Sequence, residues 1–317
     1  MPHPPRATRY APRMVDVLGI GIAAVDDLVR VPHFPDPDTK VRVTDAERSL
    51  GGLCATALVA AARLGATTAY AGILGTDDLS DFVLRSLDAE GVDTSQVDRV
   101  RGAGPGHSII VVDPSGRRIV YSDPHRTVAA FARGDDRPPA PVIRDARVLL
   151  VDHVRVAASI RAARIARWEG IPVVADLERD DDPRFPELLA LADHLVIPVA
   201  FAERLTGASD PADALGALRA PGRATVLTGG ADGAWSHGPG EDDRPAHQPA
   251  FVVDAVDTTG CGDAFHGAYA AGLASGMGLA ERVRLASAVG ALTATGIGQA
   301  AIPDRATVEA FLAAHQG

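Results

Sequence analysis

The chain has 317 residues, 46% of them apolar, and 41 acidic against 31 basic residues for a net charge of -10. These totals exclude a disordered chain and argue against general nucleic-acid affinity, which needs a basic face. Asparagine is absent and Lys40 is the single lysine, so a G-x-x-x-x-G-K-[ST] phosphate loop, a protein-kinase site and N-x-[ST] glycosylation are all excluded.

Residues 1–13, rich in Pro and Arg, lack the apolar stretch of a signal peptide and read as a flexible tail. Met14–Ile22 is an apolar run that predicts a buried strand. Gly52–Leu64, rich in Ala and Leu and closed by Gly65, predicts a helix. Thr67–Leu74 reads as a strand and Asp77–Ala89 as an amphipathic helix. His107–Asp113 and Arg117–Asp123 flank Pro114-Ser115-Gly116 and predict a hairpin. Together with Leu28–Val43 it would make a small accessory sheet.

Beyond Pro141, strand and helix alternate. Arg147–Asp152, Ile171–Asp176, His194–Ile197 and Ala224–Thr228 read as strands. Ala157–Glu169, Phe185–Ala192, Phe201–Leu205 and Pro211–Leu218 read as the helices between them. Gly238–Pro249 reads as a surface loop and Pro249–Val256 as β. Cys261–Ala274, Leu279–Thr295 and Arg305–Ala314 close the chain as helices. This alternation predicts a mainly parallel sheet covered on both faces. No apolar run approaches the roughly 18 residues of a membrane span. Cys54 and Cys261 give no disulfide framework, which reads as a reducing cytoplasm.

Asp257-Thr258-Thr259-Gly260-Cys261-Gly262-Asp263 carries the chemistry. It follows a β run and opens a small-residue helix. Gly260 and Gly262 leave backbone N–H groups bare at a helix start, which favours an anion. Asp263 sits in the first turn, and Asp257 adds a carboxylate at the ligand edge of an α/β sheet. A carboxylate repels a simple anion. It makes sense if it takes the proton of a hydroxyl that attacks phosphorus. Cys261, where a helix start can acidify a thiol, reads instead as a small residue that fits. His266 reads as structural. Asp152 and His153, at a strand end, are secondary candidates for substrate contact. Arg30, Arg117 and Arg118 read as solvated surface charges.

Two more features keep this motif company. Asp26 and Gly51-Gly52 precede the first long helix, and Leu227–Gly233 (LTGGADG) is a second Gly-rich turn after a strand. In this order, with A-x-R-L-G at Ala61–Gly65, the chain resembles the ribokinase-like, or PfkB, sugar kinases from about Val15 to Leu312. The resemblance implies a three-layer αβα domain over residues 14–317. A discontinuous β lid near 28–50 and 107–123 would cover the sugar.

It implies transfer of the ATP γ-phosphate to a hydroxymethyl group of a ketose or furanose. Asp263 would be the base, and Gly260, Cys261 and Gly262 the anion hole. Asp26, Gly51, Gly52 and Thr56 would hold the sugar. Thr228, Gly230, Gly233 and Ser287 would line the nucleotide site. ATP and Mg²⁺ are the implied cofactors, with room for a monovalent cation, and a homodimer through the lid edge is the implied assembly.

Departures from the family fall where it carries asparagine. Those positions are Ala24, Thr56, Pro198 and Ser287. With Phe201 in place of a glutamate, the N-x-x-E metal motif is lost, leaving Asp257, or Glu203 through water, to hold Mg²⁺. Within the family the chain is similar to sulfofructose kinases, through Ala55–Gly65, His247–Phe251 and Phe265–Ala268. A sulfonate needs cations, for which Lys40, Arg42, Arg126 and Arg155 are candidates. A nucleoside kinase of the same family and a catalytically silent sugar- or nucleotide-binding regulator are the alternatives.

Overall fold

The computed structural model describes residues 15–115, 117–123, 136–240 and 245–315. The 1–13 tail and Arg126 lie outside them. The first half contains β1 (Val15–Ile20), β2 (Ala24–Arg30), β3 (Asp45–Gly51), α1 (Leu53–Arg63), β4 (Thr68–Tyr70), β5 (Ile73–Leu74), α2 (Asp78–Ala89), β6 (Val92–Asp93), β7 (Asp98–Arg99), β8 (Gly106–Val112) and β9 (Arg118–Asp123). The second half begins with α3 (Ala140–Arg144), β10 (Ala146–Asp152), α4 (Val156–Trp168), β11 (Val173–Asp176), α5 (Phe185–Leu191) and β12 (His194–Pro198). It continues with α6 (Val199–Thr206), α7 (Pro211–Ala217), β13 (Ala224–Thr228), β14 (Ala234–His237) and β15 (Ala246–Gln248), then α8 (Cys261–Ala274), α9 (Leu279–Thr293) and α10 (Arg305–Ala314).

Among the described residues the main sheet has nine strands, in the order β15-β14-β13-β12-β11-β10-β1-β4-β6. β14 pairs antiparallel with both β13 and β15, and the other pairings are parallel. The alternating strand residues explain the layers. Val148 and Leu150 of β10 join Leu58 of α1, Ala268 of α8, Val289 of α9 and Val308 of α10 in one core. Leu149 and Val151 join Ile160 of α4, Leu188 of α5 and Leu215 of α7 in the other. A strand buried on both faces has no polar positions to offer, hence the continuous apolar runs. Each fully buried Leu or Val contributes about 1.5–3 kcal/mol. The fold is the expected ribokinase-like αβα sandwich. No helix among the described residues is long and apolar enough to cross a membrane.

A second sheet, β3-β2-β8-β9, stands apart from the sandwich. The expected strand within 28–43 is displaced. β2 begins at Ala24 and ends at Arg30, β3 begins at Asp45, and 31–44 has no regular structure. Pro32, Pro35 and Pro37 remove three backbone donors there, so no ladder forms. The expected strand at Pro249–Val256 is also absent, and β14 and β15 lie just before it instead. Val252 is 93% exposed. β-branched residues without a pairing neighbour do not make a strand.

The chain runs from β1 outward to β4 and β6 on one side. It returns to β10 and runs outward to β13 on the other. The order therefore reverses between β1 and β10, and open α/β sheets bind ligands outside the carboxyl ends of strands at such a point.

Candidate active site

A cavity of about 560 Å³ opens between the small sheet and the amino end of α8. Strand alternation decides which residues of the small sheet face it. Asp26, Leu28 and Arg30 of β2 line it, as do Glu47 and Ser49 of β3 and Ile110 and Val112 of β8. The residues between them, among them Asp27, Arg48 and His107, point to the outer face. There Asp27 accepts from Arg48 at 2.6 and 2.9 Å and meets His107 Nε2 at 2.9 Å.

Gly52 links β3 to α1 with φ +95°, and a Cβ there would lie 2.7 Å from the Ala24 nitrogen. Only glycine joins these elements without moving the backbone. A Cβ on Gly51 would strike the Asp26 carboxylate. The Gly-Gly pair therefore makes room for Asp26 at the cavity wall. Burial pushes the Asp26 carboxyl above its ordinary value, partly offset by a hydrogen bond from Ser108.

Opposite lies the loop Asp257–Gly260. Asp257 Oδ1 accepts from the Thr259 amide at 2.9 Å. Gly260 has φ +77° and is the cap residue of α8, with no side chain capping the helix. The first-turn N–H groups of α8 therefore lack intrahelical partners and a side-chain cap, although the Cys261 N–H reaches the Thr258 carbonyl at 3.4 Å. Asp263, in that turn, faces the cavity. Burial foremost, then the Asp176 carboxyl, push Asp263 up to about 8, while His266 pulls it down.

The cavity brings together Asp26, Gly51, Gly52, Thr56, Asp257, Gly260 and Asp263. Cys261 and Gly262 follow in the same helical turn. The Cys261 thiol is pushed up to about 11, by burial first and then by Asp257 and Asp263, so the helix start does not acidify it. Thr228 ends β13, with Gly230 in the short 3₁₀ turn behind it and Gly233 closing that turn. Ser287 lies on α9, which packs on β14 and β15.

Other expectations are corrected. Lys40 is exposed and off the cavity. Arg155 is 7% exposed at the start of α4 and does not line it either. Among the described residues, Arg30 and Arg118, read as solvated, are the cations that do. Arg118 Nη1 donates to Thr259 Oγ1 at 3.1 Å. Asp152 is 1% exposed and accepts from the Ile22 and Val154 amides at 2.7 and 2.9 Å, so its role is to hold backbone.

The lost metal motif is visible as packing. Phe201 is buried edge-on against Phe185, with ring centroids 5.9 Å apart. Glu203 sits on α6 outside the cavity lining. Among the described residues no three carboxylate, His or Cys side chains form a metal cluster. Mg²⁺ is normally held by one or two carboxylates together with substrate phosphates. Asp257, on the cavity wall with Oδ2 uncommitted, fits that need.

The signal that finds Arg118 is register. β8 pairs with β9 so that Val112 faces Arg118 across the ladder, and this puts both on the cavity face. Asp176 was missed because it lies in no Gly-rich motif, and His266, read as structural, is buried on α8.

Comparison with known proteins agrees with this geometry. The description of the pfkB family carbohydrate kinases matches residues 14–305. A ribokinase of Haemophilus influenzae is 27% identical over 310 residues, spanning 92% of this chain and 97% of its own. An ATP-dependent ribose-1-phosphate kinase of Halopiger xanaduensis is 30% identical over 94% of this chain and 98% of its own. The structure of Arabidopsis thaliana ribokinase complexed with ribose and ATP shares the fold. Its TM-score is 0.83 at 24% identity, over 94% of this chain and 98% of that one. With a helix start for phosphate, a carboxylate beside it and a match along nearly its whole length, the chain belongs to the pfkB family of carbohydrate kinases and is an ATP-dependent phosphotransferase with an alcohol group as acceptor.

Proposed function

We propose that the protein phosphorylates a hydroxymethyl group of a small neutral sugar, a ketose or furanose. The observation that carries this reading is that Asp26, with Ser108 on it, and Asp263, at an uncapped helix start, share one cavity. Carboxylates and hydroxyls such as Asp26, Glu47 and Ser49 suit sugar O–H groups, which donate to them. Lys40 and Arg155, expected for a sulfonate, do not line the cavity; of the arginines that do, Arg30 is paired with Asp45 at 3.5 Å and Arg118 is turned to Thr259, while Asp26 and Glu47 repel an anion. This favours a neutral substrate over sulfofructose. No described residue lining the cavity is aromatic, so a nucleoside base would find nothing to stack on. This favours a sugar over a nucleoside.

In the proposed step Asp26 and the backbone at Gly51-Gly52 fix the sugar. Asp263 takes the proton of the hydroxymethyl group as its oxygen bonds to the γ-phosphorus, and the bond from phosphorus to the departing ADP oxygen breaks. Negative charge on the transferring group meets the N–H groups at Gly260, Cys261 and Gly262. Arg118 adds a full charge from the small sheet, which thus acts as the lid. Thr228, Gly230, Gly233 and Ser287 would hold the nucleotide. Mg²⁺, with Asp257 as its protein ligand and Glu203 reached only through water, would neutralise phosphate charge. Preorganised charge and position are what phosphoryl transfer needs. An intact Asp263 beside the anion hole argues against the silent regulator.

Exposed Ile109, Ile119 and Tyr121 share the outer face of the small sheet. They support a homodimer through the lid, which sedimentation of wild type against Tyr121→Asp tests. The function itself is tested by ADP release with ATP and Mg²⁺ across ketoses, pentoses, nucleosides and sulfonated sugars. Turnover with a neutral sugar is expected, and no turnover with any of them overturns the kinase reading. Repeating the assay without K⁺ tests the monovalent cation.

A further inference from the structure

His266 lies on α8, three residues beyond Asp263, and is 2% exposed. Its Nδ1 is 2.7 Å from the Gly262 carbonyl oxygen, and its Nε2 is 2.9 Å from the Val196 carbonyl oxygen on β12. A neutral imidazole has one N–H and one bare nitrogen, and a carbonyl oxygen only accepts. In either neutral tautomer one nitrogen lone pair would point at an oxygen lone pair in an interior without compensation, which is costly. Only a ring protonated on both nitrogens donates to both.

The second observation lies beside it. Asp176 ends β11, is 1% exposed, and neither carboxylate oxygen has a hydrogen-bond partner. Its Oδ1 is 3.4 Å from His266 Nε2. A buried carboxyl without donors either takes up a proton or meets a counter-charge; burial pushes Asp176 towards the first, and this ring is in place to provide the second.

We propose that His266 is held as an imidazolium ion, paired with Asp176, and is the positioning residue that ties the first turn of α8, and with it Asp263, to β12. The surrounding titratable groups are mostly acids. Asp176 and Glu178 come from the end of β11, Asp152 from β10 and Asp263 from α8, with Cys54 on α1. Arg155 lies near Asp152. β12 adds His194 at its far end, bonded to Tyr269 at 2.9 Å. A cation near Asp263 favours its carboxylate form, the direction in which His266 acts on it. The Gly262 carbonyl that His266 holds belongs to the residue next to the base. The ring thus connects the sheet to the catalytic turn by both charge and hydrogen bond.

The kinetic consequence rests on the reading of Asp263 as the base, whereas the protonation state does not. The direct test is ¹⁵N NMR of the imidazole nitrogens in the full-length protein at pH 7, with His266 assigned through its contacts to Gly262. Two protonated ring nitrogens are expected, and one bare nitrogen overturns the proposal. The second test is the pH profile of kcat/KM for His266→Gln. Loss of the cation moves the rising limb to higher pH by about one pH unit, a roughly tenfold loss at pH 7 that recovers in alkali. A loss equal at every pH overturns the coupling to Asp263 and leaves a packing role alone. If the variant does not fold, the NMR result on the wild type decides. The variant Asp263→Asn tests the base separately, so failure of that reading leaves the NMR result standing.

Discussion

Arg118, on the edge strand of the small sheet, donates to the Thr259 hydroxyl at 3.1 Å, directly beside the helix start that would hold the transferring phosphate. One side chain thus links the small sheet to the loop before α8.

Removing that link should act on the chemical step. Arg118→Ala is expected to lower kcat by about 10²-fold, the scale seen when one preorganised donor to developing charge is lost, while the KM for the sugar changes little. Arg118→Lys should recover part of the rate, because it restores charge without the planar fork. Steady-state kinetics check this, and an unchanged kcat would make the contact a simple latch.

Asp263 is pushed up to about 8 by burial and by Asp176. The base must be deprotonated to act, so kcat/KM should climb from about pH 6, reach half its plateau near pH 8 and level off above about pH 9 in the wild type. A profile already flat from pH 5 would place the base elsewhere.

The same carboxyl has a stability consequence of definite sign. Its folded pKa lies above the unfolded value, so its contribution is present below about pH 4 and is lost as pH rises through about 8. Stability falls over that window because the folded state binds more protons. Asp263→Asn removes the effect. Urea midpoints of the variant should therefore gain on wild type between pH 5 and pH 9, and parallel curves would contradict the raised Asp263 carboxyl.

The lettering of the active motifs was legible because glycine and aspartate at a helix start have few other uses. Cys261–Ala274 and Arg305–Ala314 fall as the sequence predicts. Arg30 and Arg118 were not legible as cavity residues. A strand residue's face depends on register, which is set by pairing partners far along the chain. β14 and β15 were missed for a related reason. Ala234–His237 and Ala246–Gln248 are short and owe their strand state to β13 alongside them. Lys40 and Arg155 looked suitable by charge, but charge says nothing of where a backbone turns. Pro198 and Phe201 stand where the sequence reading places the metal motif, and Phe201 packs in the core.

Gly52 gives a prediction about the fold itself. Its φ of +95° and the Ala24 nitrogen 2.7 Å from a built Cβ mean that Gly52→Ala must shift β2 or α1. A cost of about 1–3 kcal/mol is expected from the backbone conformation, with a raised KM for the sugar because Asp26 moves with β2. Denaturant unfolding and kinetics together check it.

The most direct test of the account is Asp263→Asn, measured for both nucleotide binding by calorimetry and turnover on the best sugar. Asn keeps the shape and removes the base. Nucleotide affinity should stay within a few-fold while kcat falls by roughly 10²-fold or more, the scale for a positioned general base. Wild-type turnover in the variant would contradict the assignment of Asp263 as the group that takes the proton.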